Sequence, residues 1–82
     1  MLVFNGRGIR LIKHNNYFEG KVQSLGFNND NGHMTIGIIE TGEYEFSTEF
    51  HERMVIISGN LEVKIPGEEI IDLKEGQEFE VE

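Results

Sequence analysis

Residues 33–50 read HMTIGIIETGEYEFSTEF, and this stretch decides the fold class. Apolar and polar residues alternate along it on both sides of a break at Thr41-Gly42. The series that share one face are Met34, Ile36 and Ile38 before the break, and Tyr44, Phe46, Thr48 and Phe50 after it. A period of two is typical of a strand with one buried face. The stretch therefore predicts two consecutive strands, the second over residues 43–50.

Short apolar runs bounded by turn residues recur along the rest of the chain. Asn5-Gly6 predicts a small hairpin near the start, and the Asn- and Gly-rich run 28–32 predicts a turn. Residues 21–25 are interpreted as a strand with one solvated face. Further strands are expected at 54–57, 61–65, 70–73 and 79–81. The sequence thus predicts seven to nine short antiparallel strands and no helix longer than one turn.

The composition supports an all-β class. The chain has 82 residues, including ten isoleucines and six phenylalanines, and it contains no alanine. Isoleucine and phenylalanine fit a pleated, half-buried surface, whereas helices favour alanine. A chain of this length forms one domain at most, with a thin core. Because cysteine is absent, disulfides, thiolate metal sites and a cysteine nucleophile are excluded.

The charge argues against a nucleic-acid partner. The formal net charge is −8, and a nucleic-acid backbone requires clustered cations. Twelve of the fifteen carboxylates lie after residue 41, which is typical of a solubilising face. No stretch has the apolar length of a membrane span or the pattern of a signal peptide. We therefore expect a cytoplasmic protein with neither a nucleic-acid nor a membrane partner.

Three ordered blocks carry a family resemblance: residues 16–22 (NYFEGKV), 42–48 (GEYEFST) and 54–59 (MVIISG). Together with the spacing Gly42-x5-Thr48-x-Phe50 and Glu52-x6-Gly59, they resemble the pyrimidine/purine nucleoside phosphorylases, which are small cupins. The resemblance implies an all-β, cupin-type jelly-roll barrel over residues 15–82. Residues 1–14 would be an N-terminal leader or a short hairpin.

The chain departs from the cupin pattern at two places. Thr48 and Phe50 stand where many cupins have metal-binding histidines, and His14, His33 and His51 are scattered without ligand spacing. We therefore expect no metal and no cofactor other than inorganic phosphate as co-substrate. The second cupin motif begins at Gly76, and residue 82 lies inside it. The barrel is accordingly expected to lack its last one or two strands, which a partner chain in a homodimer could complete.

The resemblance implies phosphate-dependent cleavage of purine and pyrimidine nucleosides to free base and ribose 1-phosphate. Glu52 and Thr48 are the candidate catalytic residues. Lys21 is a candidate for phosphate, and Tyr44 and Phe46 are candidates for stacking on the base. Each has a structural alternative: a surface lysine for Lys21, core packing for the two aromatic residues and an ordinary rim carboxylate for Glu52.

Two other functions stay open at this point. The chain could be a non-catalytic cupin that binds a small sugar or nucleotide, or a structural fragment that only mediates oligomerisation. Because one fold supports many activities, the enzyme hypothesis depends on the three blocks and not on a recognised catalytic constellation.

Overall fold

The computed structural model describes residues 1–46 and 51–81, and within them the protein is all-β. Seven strands and one short 3₁₀ turn follow in chain order: β1 (Arg10–Tyr17), η1 (Phe18–Gly20), β2 (Val22–Asn29), β3 (Gly32–Ile39), β4 (Glu52–Val55), β5 (Asn60–Val63), β6 (Ile71–Lys74) and β7 (Glu78–Val81). The predicted class, the number of strands and the lack of a long helix are confirmed for the described residues. No helix in this part of the chain is long and apolar enough to cross a membrane.

The chain divides into two compact units, Met1–Glu43 and Tyr44–Glu82. The first holds an antiparallel sheet in the order β1-β2-β3, and the second holds the antiparallel pairs β4-β7 and β5-β6. Residues 47–50 and 82 lie outside the description. The described residues thus form three separate sheets and no closed barrel, so the jelly-roll closure implied by the resemblance stays a prediction.

In the first unit, β2 and β3 form a hairpin around Asp30-Asn31. Asn29 pairs with Gly32, whose φ is 117°, a backbone conformation that favours glycine. The Asn29 side chain accepts a hydrogen bond from the Asn31 amide at 2.8 Å, as asparagine does in turns. The predicted turn at residues 28–32 is therefore confirmed, with β2 extending through Asn29 and so two residues into the predicted turn.

The N-terminal region differs from the predicted hairpin. Residues 1–9 contain no strand, and β1 begins at Arg10, so it crosses the proposed boundary between residues 14 and 15. The register between β1 and β2 shifts between Arg10 and Lys13, and Leu11 lies there with a φ of 58°. An extra residue in one strand of a pair produces such a bulge.

The second unit matches the predicted strands at their centres more than at their ends. The strand expected at 54–57 is β4, which starts at Glu52 and ends at Val55. Residues 43–46 are not in a strand, although their alternation predicted one, and residues 47–50 lie outside the description. Alternation indicates which face a strand would bury, but it does not supply a neighbouring strand to pair with.

The core is thin, as the length predicted. Among the described hydrophobic residues, only Val22 of β2 and Leu73 of β6 are buried. Leu73 lies opposite Leu61 of β5, and Val22 lies between Tyr17 and Ile39 on the neighbouring strands. Among the described residues, each unit therefore has one buried hydrophobic side chain within its own sheet.

Candidate functional site

Lys21 lies at the end of the 3₁₀ turn, beside an open depression of the first unit. The depression has a volume of about 340 Å³ and is lined by Gly20, Lys21, Gln23, Ile38 and Glu40. The Glu40 amide donates to the Lys21 carbonyl at 2.8 Å, and the Gln23 side chain donates to the Gly20 carbonyl at 2.8 Å. These two bonds hold the backbone around Lys21, whose side chain is exposed. An exposed ammonium beside a concave surface is available to an anion.

The other candidate residues belong to the second unit. Tyr44 is half-buried and Phe46 is about half exposed. Glu52 is exposed on β4, opposite Val81 of β7. Thr48 lies outside the described residues. Lys21 thus belongs to the first unit, and the remaining described candidates belong to the second.

Arg53, next to Glu52, is held by Glu78 and not by the candidate glutamate. Its Nε and Nη2 atoms lie 2.9 and 2.6 Å from Oε2 of Glu78. This hydrogen bond, together with the charge of Glu78, raises the pKa of the Arg53 guanidinium. Directly before β4, His51 Nε2 lies 3.5 Å from Oε2 of Glu80 on β7. Since neighbouring residues of a strand point to opposite faces, this charged pairing leaves Glu52 on the other face.

The sheet of the first unit carries a group of residues that the sequence analysis did not bring together. Successive cross-strand pairs place polar side chains and a glycine on one face, which we call the polar face. It consists of Lys13, Asn15, Ser24, Gly26, Asn28, His33 and Thr35. The same side of the sheet continues into the buried Val22, with Tyr17 and Ile39 beside it. Lys13 and Thr35 flank Gly26 in one row, and Asn28 lies opposite His33 in the next.

Hydrogen bonds order the polar face. Asn15 Nδ2 donates to Ser24 Oγ at 3.3 Å, and His33 Nδ1 lies 3.0 Å from Asn28 Oδ1. Gly26, between these two pairs, is buried. A Cβ atom at Gly26 would lie 3.2 Å from His33 Cε1, 3.4 Å from His33 Nε2 and 3.6 Å from Asn15 Nδ2. The imidazole of His33 and the amide of Asn15 thus converge over the glycine.

The opposite face of the same sheet is apolar on β2 and β3. This apolar face consists of Leu25, Phe27, Met34, Ile36 and Ile38. The predicted shared face of Met34, Ile36 and Ile38 is therefore confirmed. The interpretation of residues 21–25 is wrong in one respect: Val22 and Leu25 are three positions apart, so they point to opposite faces and neither face of β2 is uniformly polar.

Two of the histidines lie on opposite faces of the sheet of the first unit. His14 bonds Gln23 Oε1 through Nε2 at 3.0 Å on the apolar side, and His33 is on the polar face. His51 belongs to the second unit and directly precedes β4. Among the residues described, no three His, Cys, Asp or Glu side chains lie close enough to hold a metal ion. Independence from metal stays a prediction.

Comparisons with known proteins point to one family. The family model for pyrimidine/purine nucleoside phosphorylase matches residues 12–82. Curated proteins of that name are 48% identical over 58 residues in Anaeromyxobacter sp., 46% identical over 57 residues in Sorangium cellulosum and 50% identical over 58 residues in Yersinia enterocolitica.

These alignments cover most of this chain but less of its relatives. They include 71%, 70% and 70% of the present chain, against 55%, 61% and 61% of the three relatives. The residues that the family model matches contain the blocks that carried the resemblance. The chain therefore belongs to the pyrimidine/purine nucleoside phosphorylase family.

Proposed function

We propose that this protein cleaves purine and pyrimidine nucleosides with inorganic phosphate, giving the free base and ribose 1-phosphate. The observation that carries the proposal is the family match over residues 12–82. In this reaction a phosphate oxygen forms a bond to C1′ of the ribose, while the bond from C1′ to the base nitrogen breaks. The electron pair leaves with the base, which then takes up a proton.

The transition state of this displacement resembles an oxocarbenium ion, as in glycoside hydrolysis. A site therefore needs a cation or donors for phosphate, acceptors for the ribose hydroxyls and a hydrogen bond to the departing base. No covalent intermediate on the protein is required. The chemistry also needs no metal, and Thr48 and Phe50 at the positions of the usual cupin ligands support a reaction without one.

In this proposal, Lys21 binds phosphate, and its place beside the open depression supports that role. Glu52 accepts hydrogen bonds from the ribose hydroxyls, which suits an exposed carboxylate, or takes up a proton and passes it to the base. Tyr44 and Phe46 stack on the base, and the Thr48 hydroxyl adds a hydrogen bond. How these residues meet around one substrate is part of the proposal.

We further propose that the working form is a cytoplasmic homodimer with a cupin-type barrel. The apolar face supports association, since Met34, Ile36 and Ile38 are exposed by 47, 55 and 78%. These residues lie on β3, at the edge of the three-stranded sheet as far as the description extends. An exposed apolar edge strand is a template for another chain. Sedimentation velocity should show a dimer, and Ile36→Glu should shift it to monomer; a wild-type monomer at millimolar concentration would contradict this.

The test of activity is incubation of the purified protein with uridine or adenosine plus phosphate. Chromatography should show free base and ribose 1-phosphate in equal amounts, and neither product when phosphate is omitted. The proposal would be contradicted if the amount of free base did not exceed that in the protein-free control. If the nucleoside raises the unfolding temperature without turnover, the non-catalytic binding module is the better description.

A further inference from the structure

We propose that the polar face binds the pentose of the substrate, with one sugar hydroxyl over Gly26 between Asn15 and His33. The inference rests on the proposed function, because a nucleoside is the ligand that brings a pentose to this chain. The residues of this site belong neither to the three sequence blocks nor to the candidate residues named above.

The first support is the chemistry that His33 offers. Its Nδ1 atom faces a carboxamide oxygen, Oδ1 of Asn28, at 3.0 Å, so Nδ1 carries the proton of that hydrogen bond. In the neutral ring the other nitrogen, Nε2, is then an acceptor with a free lone pair. Nε2 is the ring nitrogen near Gly26, at 3.4 Å from the position a Cβ would take.

The second support is the donor on the other side of the same point. Asn15 Nδ2 lies 3.6 Å from that Cβ position, and it carries two protons, one of which it donates to Ser24 Oγ. A ligand atom over Gly26 would therefore meet one donor and one acceptor. A hydroxyl matches both, since it donates and accepts at once. An ionised phosphate oxygen accepts hydrogen bonds but has no proton to give to Nε2, so the pair favours a hydroxyl group over an oxyanion.

The third support is the pattern of burial. In a sheet with one solvated face, the polar side is the exposed one. Here Asn15, Ser24 and Asn28 are half-buried and Gly26 is buried, while His33 and Thr35 beside them are exposed; on the other face Leu25 and Ile36 are about half exposed. Half-buried polar groups beside a covered glycine are placed to hydrogen-bond a ligand that lies on this face.

Two histidines on the same sheet provide a matched pair of variants. His33→Ala removes the acceptor on the polar face, and His14→Ala removes a histidine that also bonds a carboxamide oxygen but lies on the opposite side. Both side chains are exposed, so neither change opens a core cavity. Gly26→Ala places a methyl group 3.2 Å from His33 Cε1, which is tight enough to displace the imidazole from its position over the glycine, and Gly6→Ala, where a Cβ meets nothing within 4 Å, is its control.

In steady-state phosphorolysis, His33→Ala and Gly26→Ala should raise KM for uridine by about tenfold, the value of one lost hydrogen bond of ~1.4 kcal/mol. His14→Ala and Gly6→Ala should leave it within about twofold. A deoxynucleoside that lacks the hydroxyl over Gly26 should have the same KM with wild type and His33→Ala. Comparison of uridine with its 2′-deoxy and 5′-deoxy analogues identifies that hydroxyl.

A second measurement separates this inference from the proposed function. In an NMR titration of the wild type with uridine and no phosphate, the amide signals of Ser24, Gly26 and His33 should shift. If the enzyme turns over but His33→Ala equals His14→Ala, the pentose site is wrong and phosphorolysis stands. If there is no turnover but these three signals shift, phosphorolysis is wrong and the pentose site stands. Absence of shifts at these residues at millimolar uridine would overturn the site whatever the activity.

Discussion

Glu62 of β5 and Asp72 of β6 lie directly opposite each other in the antiparallel pair. Two like charges in this position repel across the strands. Asp72→Asn removes one charge and keeps the shape of the side chain. We expect it to raise the free energy of unfolding by about 0.2–1 kcal/mol at low salt. Urea denaturation at low ionic strength measures the change.

Two controls test whether repulsion from Glu62 causes the gain in stability. Glu75→Gln neutralises a carboxylate in the turn after β6 and should change stability less than Asp72→Asn does. The gain from Asp72→Asn should shrink in about 1 M salt, where charges are screened beyond ~3 Å. A gain of the same size in both salts would mean that repulsion from Glu62 is not its cause.

Leu73 is the buried leucine of the second unit, and it packs opposite Leu61. Leu73→Ala should lower the free energy of unfolding by about 2–3 kcal/mol, toward the low end for buried leucines because the core is thin. Leu25→Ala, at a side chain that is half exposed, should cost less than about 1 kcal/mol. Equal losses in thermal or urea unfolding would contradict the burial of Leu73.

Glu19 has a φ of 57° inside the 3₁₀ turn, a conformation that glycine adopts at no steric cost. Glu19→Gly should therefore stabilise the protein by about 0.5–1 kcal/mol, the left-handed strain of ~1–2 kcal/mol less the added chain entropy. Glu75→Gly, at a residue with negative φ, should destabilise it. Opposite signs in matched denaturation curves are the expected result, and a loss for both would contradict strain at Glu19.

The fold class followed from local patterns. The alternation of Met34, Ile36 and Ile38 predicted the face that β3 presents, because side chains of a strand change sides at every residue. The run of Asn and Gly at 28–32 predicted the hairpin, because those residues tolerate the required backbone angles. The lack of a strand at residues 43–46 was not predictable in this way, since pairing depends on a distant partner.

The polar face was missed because it depends on register between strands. His33 and Asn28 are five residues apart, and they become neighbours only because Asn29 pairs with Gly32 across a two-residue loop. Counting outward from that turn would have placed His33 opposite Asn28 and Thr35 opposite Gly26. The same counting could not have predicted the positions of Lys13 and Asn15, because the bulge at Leu11 alters the register of β1.

The contribution of the Arg53–Glu78 ion pair to stability should depend on salt concentration but not on pH near neutrality. The hydrogen bond and the charge of Glu78 raise the pKa of Arg53, so the stabilisation is full below the ordinary arginine pKa and is lost only as pH rises through the raised value. Glu78→Gln should lower the unfolding temperature slightly and equally across about pH 6–9. Because both side chains are exposed, the difference should vanish in high salt. A difference that grows across this pH range would point to another titrating partner.

Lys21 provides the most direct test of the proposed chemistry on this chain. If its ammonium holds phosphate, Lys21→Ala should raise KM for phosphate by about 10–100-fold, since hydrogen bonds to charged groups contribute ~1.5–3 kcal/mol. KM for the nucleoside should change much less, because the lysine does not contact the pentose or base. Lys64→Ala removes an exposed lysine after β5 and serves as the matched control. Steady-state kinetics with phosphate as the varied substrate measures both variants. Equal KM values for the two would assign phosphate to another cation, and Lys13 in the row beside Gly26 would then be the next residue to substitute.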